Sequence, residues 1–158
     1  MRRKDREITD RAEILEAIRA CDVCRLGLVD GEYAYVLPLN FGMDVDEEGG
    51  LTLYFHSALE GHKTELLCEG CKASFEMDSR HELEYDEAKG HCTYYFESVM
   101  GRGTIRILGD DEKMHALELL MDHYHPGQNA YFNPAAMPRT LVYSLEVEEM
   151  TGKRKMPK

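Results

Sequence analysis

Apolar residues recur at two spacings along this chain, and the switches between those spacings predict its elements. Behind Asp10, a good acceptor for the free amides of a helix start, Ile14, Leu15 and Ile18 fall at helical intervals, so a first helix should stop near Cys21. Residues 24–29 read as a strand, Asp30-Gly31 is a hairpin-turn pair, and 33–41 is the returning strand. Pro38 interrupts that strand. It cannot donate to a ladder, so it marks an edge, a bulge or a ligand-facing gap. An acidic loop, 44–50, precedes a third strand at 51–56 and a second helix at 60–68. A fourth strand covers 72–77, and 79–91 is polar and irregular. The weak alternation over 93–108 predicts one long bent strand, with Gly101 and Gly103 permitting the bend. Gly109-Asp110-Asp111-Glu112 opens a third helix with acidic groups in its first turn. Its apolar stripe is Met114, Leu117, Leu120, Met121 and Tyr124, and His125-Pro126-Gly127 ends it. A last strand covers 140–147. Strands that arrive mainly as hairpins predict a mainly β fold, an antiparallel sheet or barrel with outer helices.

Size and charge narrow the classes. The 158 residues, 43% of them hydrophobic, suit a single domain with a real core. A formal net charge of -11 repels nucleic acid and anionic lipid, so neither is expected as a partner. Basic residues gather at the two ends: Arg2, Arg3, Lys4 and Arg6, then Lys153, Arg154, Lys155 and Lys158. Both ends read as solvated, with a basic tail from about residue 151; the sharper alternative has the N-terminal arginines contacting a partner subunit. No apolar h-region follows the opening charges and no run is long enough to cross a bilayer. A cytoplasmic location is therefore expected, with the five cysteines reduced.

Four constellations carry candidate chemistry. The strand at 51–56 leads into Ser57, Glu60, His62 and Lys63. Ser57 and Glu60 have capping-box spacing, so a helix should begin just after Ser57. A helix start with a hydroxyl and two basic side chains nearby is a cradle for a phosphate; the competing reading is an ordinary helix start with Lys63 in solvent. Tyr35-Val36-Leu37-Pro38-Leu39-Asn40-Phe41-Gly42 is apolar on both strand faces, so something should cover both. With backbone groups freed near Pro38 and the amide of Asn40 at its end, it suits a flat heteroaromatic ring, or else a buried central strand with a bulge. Tyr94 to Gly103 joins aromatic residues and Ser98 to two glycines that allow close backbone approach; a bent strand without ligand is the simpler reading. Finally, Cys21-x-x-Cys24 and Cys68-x-x-Cys71 are either free thiols or, if brought together, a zinc site. His123 and His125 are explained by the dipole at a helix end. Neither a nucleophile elbow nor a Walker loop is present.

Several of these segments, in order, resemble the 5-nitroimidazole-resistance flavoproteins of the wider pyridoxamine 5'-phosphate oxidase-like group. They are the opening Met1 to Asp10, Arg25-Leu-Gly-Leu-Val29, Tyr35 to Gly42, Leu53-Tyr-Phe-His-Ser-Ala58 with Gly61-x-Lys63, and Ser98-Val-Met-Gly-Arg-Gly103. The resemblance implies a split β-barrel homodimer with FMN at the subunit interface, passing electrons or hydride to a small-molecule acceptor such as a nitroaromatic. It also implies that Ser57, His62 and Lys63 hold the FMN phosphate and that Val36, Pro38, Leu39 and Asn40 lie along the ring edge. Ser98 would approach the cofactor, and His56 would stand at the pocket wall as a proton donor. The basic pattern of the pyridoxamine-phosphate oxidases is replaced here by apolar residues around Pro38, which argues against vitamin B6 oxidation. Two rival expectations remain: a non-catalytic flavin- or haem-binding module, and a zinc-stabilised domain built on the four paired cysteines.

Overall fold

The computed structural model describes residues 3–157. The chain opens with a short strand, β1 (Glu7–Ile8), and a helix, α1 (Arg11–Arg19). The carboxylate of Asp10 accepts from the amide of Ala12 at 2.8 Å, as the sequence predicts for a helix cap. The hairpin β2 (Cys24–Asp30) and β3 (Tyr33–Leu39) follows, then β4 (Gly42–Val45), β5 (Leu51–Ala58) and a five-residue helix α2 (His62–Leu66). The long strands β6 (Lys72–Asp86) and β7 (His91–Ile107), helix α3 (Asp110–Tyr124) and β8 (Thr140–Lys155) complete the chain.

The strands form one antiparallel sheet in the order β3-β2-β6-β7-β8-β5-β4, with β1 added on β8. The two ends of that order, β3 and β4, do not pair, so the sheet stays open. Its concave face holds Leu26, Leu53, Phe55, Phe75, Met77, Val99, Ile105 and Leu145, all at most 3% exposed. Ile14, Leu15, Ala17 and Ile18 of α1 pack against them. Each such side chain removed from water contributes about 1.5–3 kcal/mol, so α1 is held by its apolar face rather than by intrinsic helix propensity. On the other face, Ala116 and Leu117 of α3 cover Val142 and Leu108, with Tyr54 alongside. A Cβ on Gly42 would lie 2.5 Å from the backbone nitrogen of Leu120, so β4 and α3 can approach only because that residue is glycine.

Four local expectations are corrected. Ser57 does not cap a helix. It stays in β5, paired with Leu141 of β8, and its hydroxyl donates to the carbonyl of Ala58 at 2.9 Å. The helix begins instead at His62, behind Gly61 (φ 127°), and ends at Leu66. Second, 79–91 is not irregular. β6 and β7 continue as a two-stranded arm to Asp86 and His91, with a bulge between Ser79 and Glu82 where Arg80 takes φ 56°. Third, the C-terminal residues up to Lys155 are not a solvated tail. Gly152 sits between Val99 of β7 and Ile8 of β1, and Arg154 bonds Glu13 of α1 at 2.7 Å. Arg2 and Lys158, named with those basic ends, lie outside the described residues. Fourth, Met114 is exposed, and the buried stripe of α3 is Ala116, Leu117 and Leu120. The predicted bend in 93–108 is real: the register shifts between Arg102 and Gly103, and a Cβ on Gly103 would collide with the carbonyl of Glu146.

Candidate functional site

The edge strand β3 pairs on one side only, with β2. Tyr35, Leu37 and Leu39 turn toward the core, while Val36, Pro38 and Asn40 turn outward and are exposed. Val36 is 60% exposed, and Tyr33 and Val29 nearby are 79% and 74% exposed. The expectation that both faces of this strand are covered therefore holds for one face only within a single chain. Pro38 sits opposite Arg25, at an edge, where its missing N–H leaves no ladder bond unmade. Leu39 belongs to the core side, so it can reach an outer ligand only through its backbone.

β5 sorts its last residues by the same alternation. His56 faces outward, opposite Val142, while Ser57 follows Phe55 on the core side. His56 and Ser57 thus point to opposite faces. Partial burial holds the pKa of His56 below its ordinary value, and the charge of Lys63 lowers it further. Lys63 is half-buried, and burial lowers its own pKa. Among the described residues no carboxylate lies within ion-pair distance of it. In a chain of net charge -11, a half-buried ammonium without a carboxylate is ready for an external anion.

His62 is placed differently from its neighbour. Its Nε2 meets Asp30 at 2.7 Å and its Nδ1 meets Glu65 at 3.1 Å, and these bonds raise its pKa. Its ring stands edge-on to Tyr35, 5.1 Å between centroids at 86°. His62 is thus a clasp between α2 and the β2–β3 hairpin, and its charge is already committed to two carboxylates. Asp30 and Tyr35 were not anticipated as site residues. They lie 32 and 27 positions away in sequence, and no local pattern pairs them with a histidine on α2.

Ser98 is remote from this group. It lies in β7 between Asp78 and Lys153, on the outward face. It lies seven positions before Ile105, whose N–H and C=O anchor the turn after α2. At about 3.3 Å per residue that is roughly 23 Å. Within one chain the structure brings His62 against Asp30 and Tyr35, with Lys63 next to His62 on α2; Pro38 lies level with Met100 across β2 and β6, toward the Ser98 end of the sheet and away from the Asp30 end that holds α2. A cleft of about 1170 Å³ lies elsewhere, beneath the β6–β7 arm between Arg3, Tyr85, Tyr95 and Lys155, and none of the predicted residues lines it. Val36, Pro38 and Asn40 stand on an open surface instead.

The two cysteine pairs do not meet. No group of three or more Cys, His, Asp or Glu side chains able to hold a metal occurs among the described residues, so the four-cysteine zinc domain is not built.

Comparison with known proteins agrees with this architecture. The family model described as pyridoxamine 5'-phosphate oxidase matches residues 10–154. The chain belongs to that family. Its open sheet, curled round a core and flanked by helices, is the family's split barrel. Among solved structures, a candidate 5-nitroimidazole antibiotic resistance protein from Bacteroides thetaiotaomicron is 34% identical, with a TM-score of 0.78, over 94% of this chain and 86% of that one. An FAD and heme binding protein from Mycobacterium smegmatis superposes with a TM-score of 0.82 at 18% identity, covering 96% of this chain and 74% of that one. A flavocytochrome from Azotobacter vinelandii gives 0.81 at 19% identity, covering 99% and 72%. The last two share the fold. A search of curated proteins gave no match. No helix among the described residues is long and apolar enough to cross a membrane.

Proposed function

We propose that this chain is an FMN-binding oxidoreductase of the nitroimidazole-resistance type, working as a homodimer with a cofactor at the subunit interface. The observation that carries the reading is Lys63: a half-buried cation without a carboxylate partner among the described residues, on the helix that His62 ties to the β2–β3 hairpin, whose edge strand is exposed on its apolar outward face.

The residues fit FMN at two points. Lys63 supplies a charge for a terminal phosphate, and the outward row Val36, Pro38 and Asn40 supplies a flat apolar surface with a polar end. Ser57 and His62 fit less well, because the hydroxyl serves its own backbone and the imidazole is held by Asp30 and Glu65. FMN, when bound, supplies the redox chemistry; the protein positions it and sets the local charge. A second copy lying against β3 would cover Val29, Tyr33 and Val36 and would bring in its own Ser98, since the Ser98 of the first chain lies seven residues along β7 from the end that holds α2. That arrangement favours the homodimer.

At neutral pH His56, with its pKa held below the ordinary imidazole value, is mainly the neutral ring. A phosphate anion on Lys63 cancels the repulsion that helps lower that pKa, so cofactor binding and the readiness of His56 to carry a proton are coupled. The acceptor is a small molecule, with nitroaromatics as the class to try first. Pyridoxamine phosphate is disfavoured because apolar residues replace the basic pattern around Pro38.

The test is spectroscopic. The purified protein should carry, or take up, one flavin per subunit, and anaerobically reduced flavin should reoxidise when a nitroimidazole is added. A haem Soret band in place of flavin, or a protein that takes up no flavin, would overturn the reading.

A further inference from the structure

The paired cysteines share a spacing but not a setting. Cys21 and Cys24 are sealed in the core, at 2% and 0% exposure, with the Cys21 thiol donating to the carbonyl of Ala17 at 3.1 Å. Cys68 is exposed and Cys71 half-exposed. Cys68-Glu69-Gly70-Cys71 is a tight turn, closed by the Cys71 N–H on the Cys68 carbonyl at 3.1 Å. Gly70 takes φ 77°, and among the described residues only Arg80 has positive φ outside glycine, so Glu69 does not; this is the type II pattern. Such a turn keeps its end Cα atoms within about 7 Å, and disulfides span about 4.4–6.8 Å.

The turn is also fixed in place. Gly70 N–H donates to Ile105 C=O at 2.9 Å, Ile105 N–H donates to Cys71 C=O at 2.8 Å, and Ile107 N–H donates to the Glu69 carboxylate at 2.7 Å. The Cys68 amide donates to the Cys71 sulfur, 3.3 Å away. Two thiols thus share one hydrogen-bonded, solvent-open turn, with an N–H placed to stabilise a Cys71 thiolate.

We propose that Cys68 and Cys71 form a reversible dithiol–disulfide site that exchanges with low-molecular-weight disulfides such as oxidised glutathione. The Cys68 thiolate attacks one glutathione sulfur, releases the other as glutathione thiolate and leaves a mixed disulfide. The Cys71 thiolate then attacks the Cys68 sulfur and releases the second glutathione. The two protein thiols lose two electrons and two protons in all, and the glutathione disulfide is reduced to two thiols. Burial raises the pKa of Cys71, so the closing step is faster at higher pH. The site is independent of the flavin reading, because no redox step through a flavin is involved.

The folded protein supplies its own controls. Cys92 is exposed but without a C-x-x-C partner, and Cys21 and Cys24 have the spacing without the access. The full-length protein is incubated with oxidised glutathione, blocked with iodoacetamide and digested with trypsin. The peptide 64–72 should lose two hydrogens and carry neither alkyl group nor glutathione, and dithiothreitol should restore its alkylation. The peptide 20–25 should show no disulfide. Cys92 should carry glutathione or an alkyl group, never a bond to the turn. With Cys71→Ser, exchange should stop at a stable glutathione adduct on Cys68. A 64–72 peptide that stays doubly alkylated, or that gains glutathione on both cysteines without closing, would overturn the proposal.

Discussion

Replacing Lys63 with alanine separates the charge of the anion site from the rest of the cofactor surface. Three structural facts set the size of the effect. Lys63 is half-buried, so solvent screening is incomplete, and among the described residues no carboxylate neutralises it. Helix α2 has only five residues, so its aligned peptide dipoles add little to the side-chain charge. His62, the other basic group, is occupied by Asp30 and Glu65. In the proposed site the phosphate contact therefore rests chiefly on one ammonium. A hydrogen bond to a charged group is worth about 1.5–3 kcal/mol, and about 1.4 kcal/mol is tenfold in affinity, so Lys63→Ala should weaken FMN by about 10- to 150-fold. Riboflavin has the same ring and no phosphate, so its affinity should hardly change. Titration of both ligands by flavin fluorescence, on wild type and variant, gives the ratio directly. Equal losses for the two would mean that Lys63 supports the fold or the ring, not the phosphate. His62→Ala should leave the FMN-to-riboflavin ratio near that of wild type.

Other consequences follow from the same coordinates. By NMR, His56 should titrate below the ordinary imidazole value near 6.5, and Lys63→Met should move it upward. A depressed histidine pKa means that the unfolded chain binds more protons, so this group's contribution to stability falls as pH drops from about 6.5 through the folded value. An unmoved His56 resonance in the Lys63 variant would separate the two residues. Tyr143 is fully buried, and its hydroxyl has no hydrogen-bond partner among the described residues, so Tyr143→Phe should raise stability by about 1 kcal/mol in a urea titration; a lowered midpoint would mean that a partner for the hydroxyl exists. Gly42→Ala forces a methyl to 2.5 Å from the Leu120 backbone and should cost about 1–3 kcal/mol, with α3 displaced; an unchanged midpoint would show that β4 and α3 are not in close contact.

The legible parts of the fold are those where side-chain periodicity and burial coincide. Ile14, Leu15 and Ile18 gave α1 its face, and Asp30-Gly31 gave the β2–β3 hairpin its turn. Pro38 correctly marked an edge. The failures have a common cause, which is pairing between distant strands. Ser57-x-x-Glu60 is a valid capping pattern locally, but β8 lies alongside and keeps Ser57 and Ala58 extended opposite Leu141 and Thr140. The charged residues Lys153 to Lys155 look solvated in isolation and become strand because β1 and β7 pair with that stretch. In the β6–β7 arm, Glu82-Leu83-Glu84-Tyr85 does alternate, yet Leu83 and Tyr85 are 60% and 65% exposed, so the alternation does not mark a core. At the site, the spacing of His56 to Lys63 was readable and the clasp of His62 on Asp30 and Tyr35 was not, because it depends on where the hairpin packs. Ser98 was identified by resemblance, and its roughly 23 Å offset along β7 is visible only in three dimensions.

The central claim is that a phosphate sits on Lys63 and a flat ring lies along the outward face of β3, with a second subunit closing the site. A crystal structure with FMN tests it most directly. The account predicts the phosphate against the Lys63 ammonium, the ring over Val36, Pro38 and Asn40, and Ser98 of the partner subunit at the cofactor. A ring bound in the cleft beneath the β6–β7 arm, with Lys63 facing water, would contradict it.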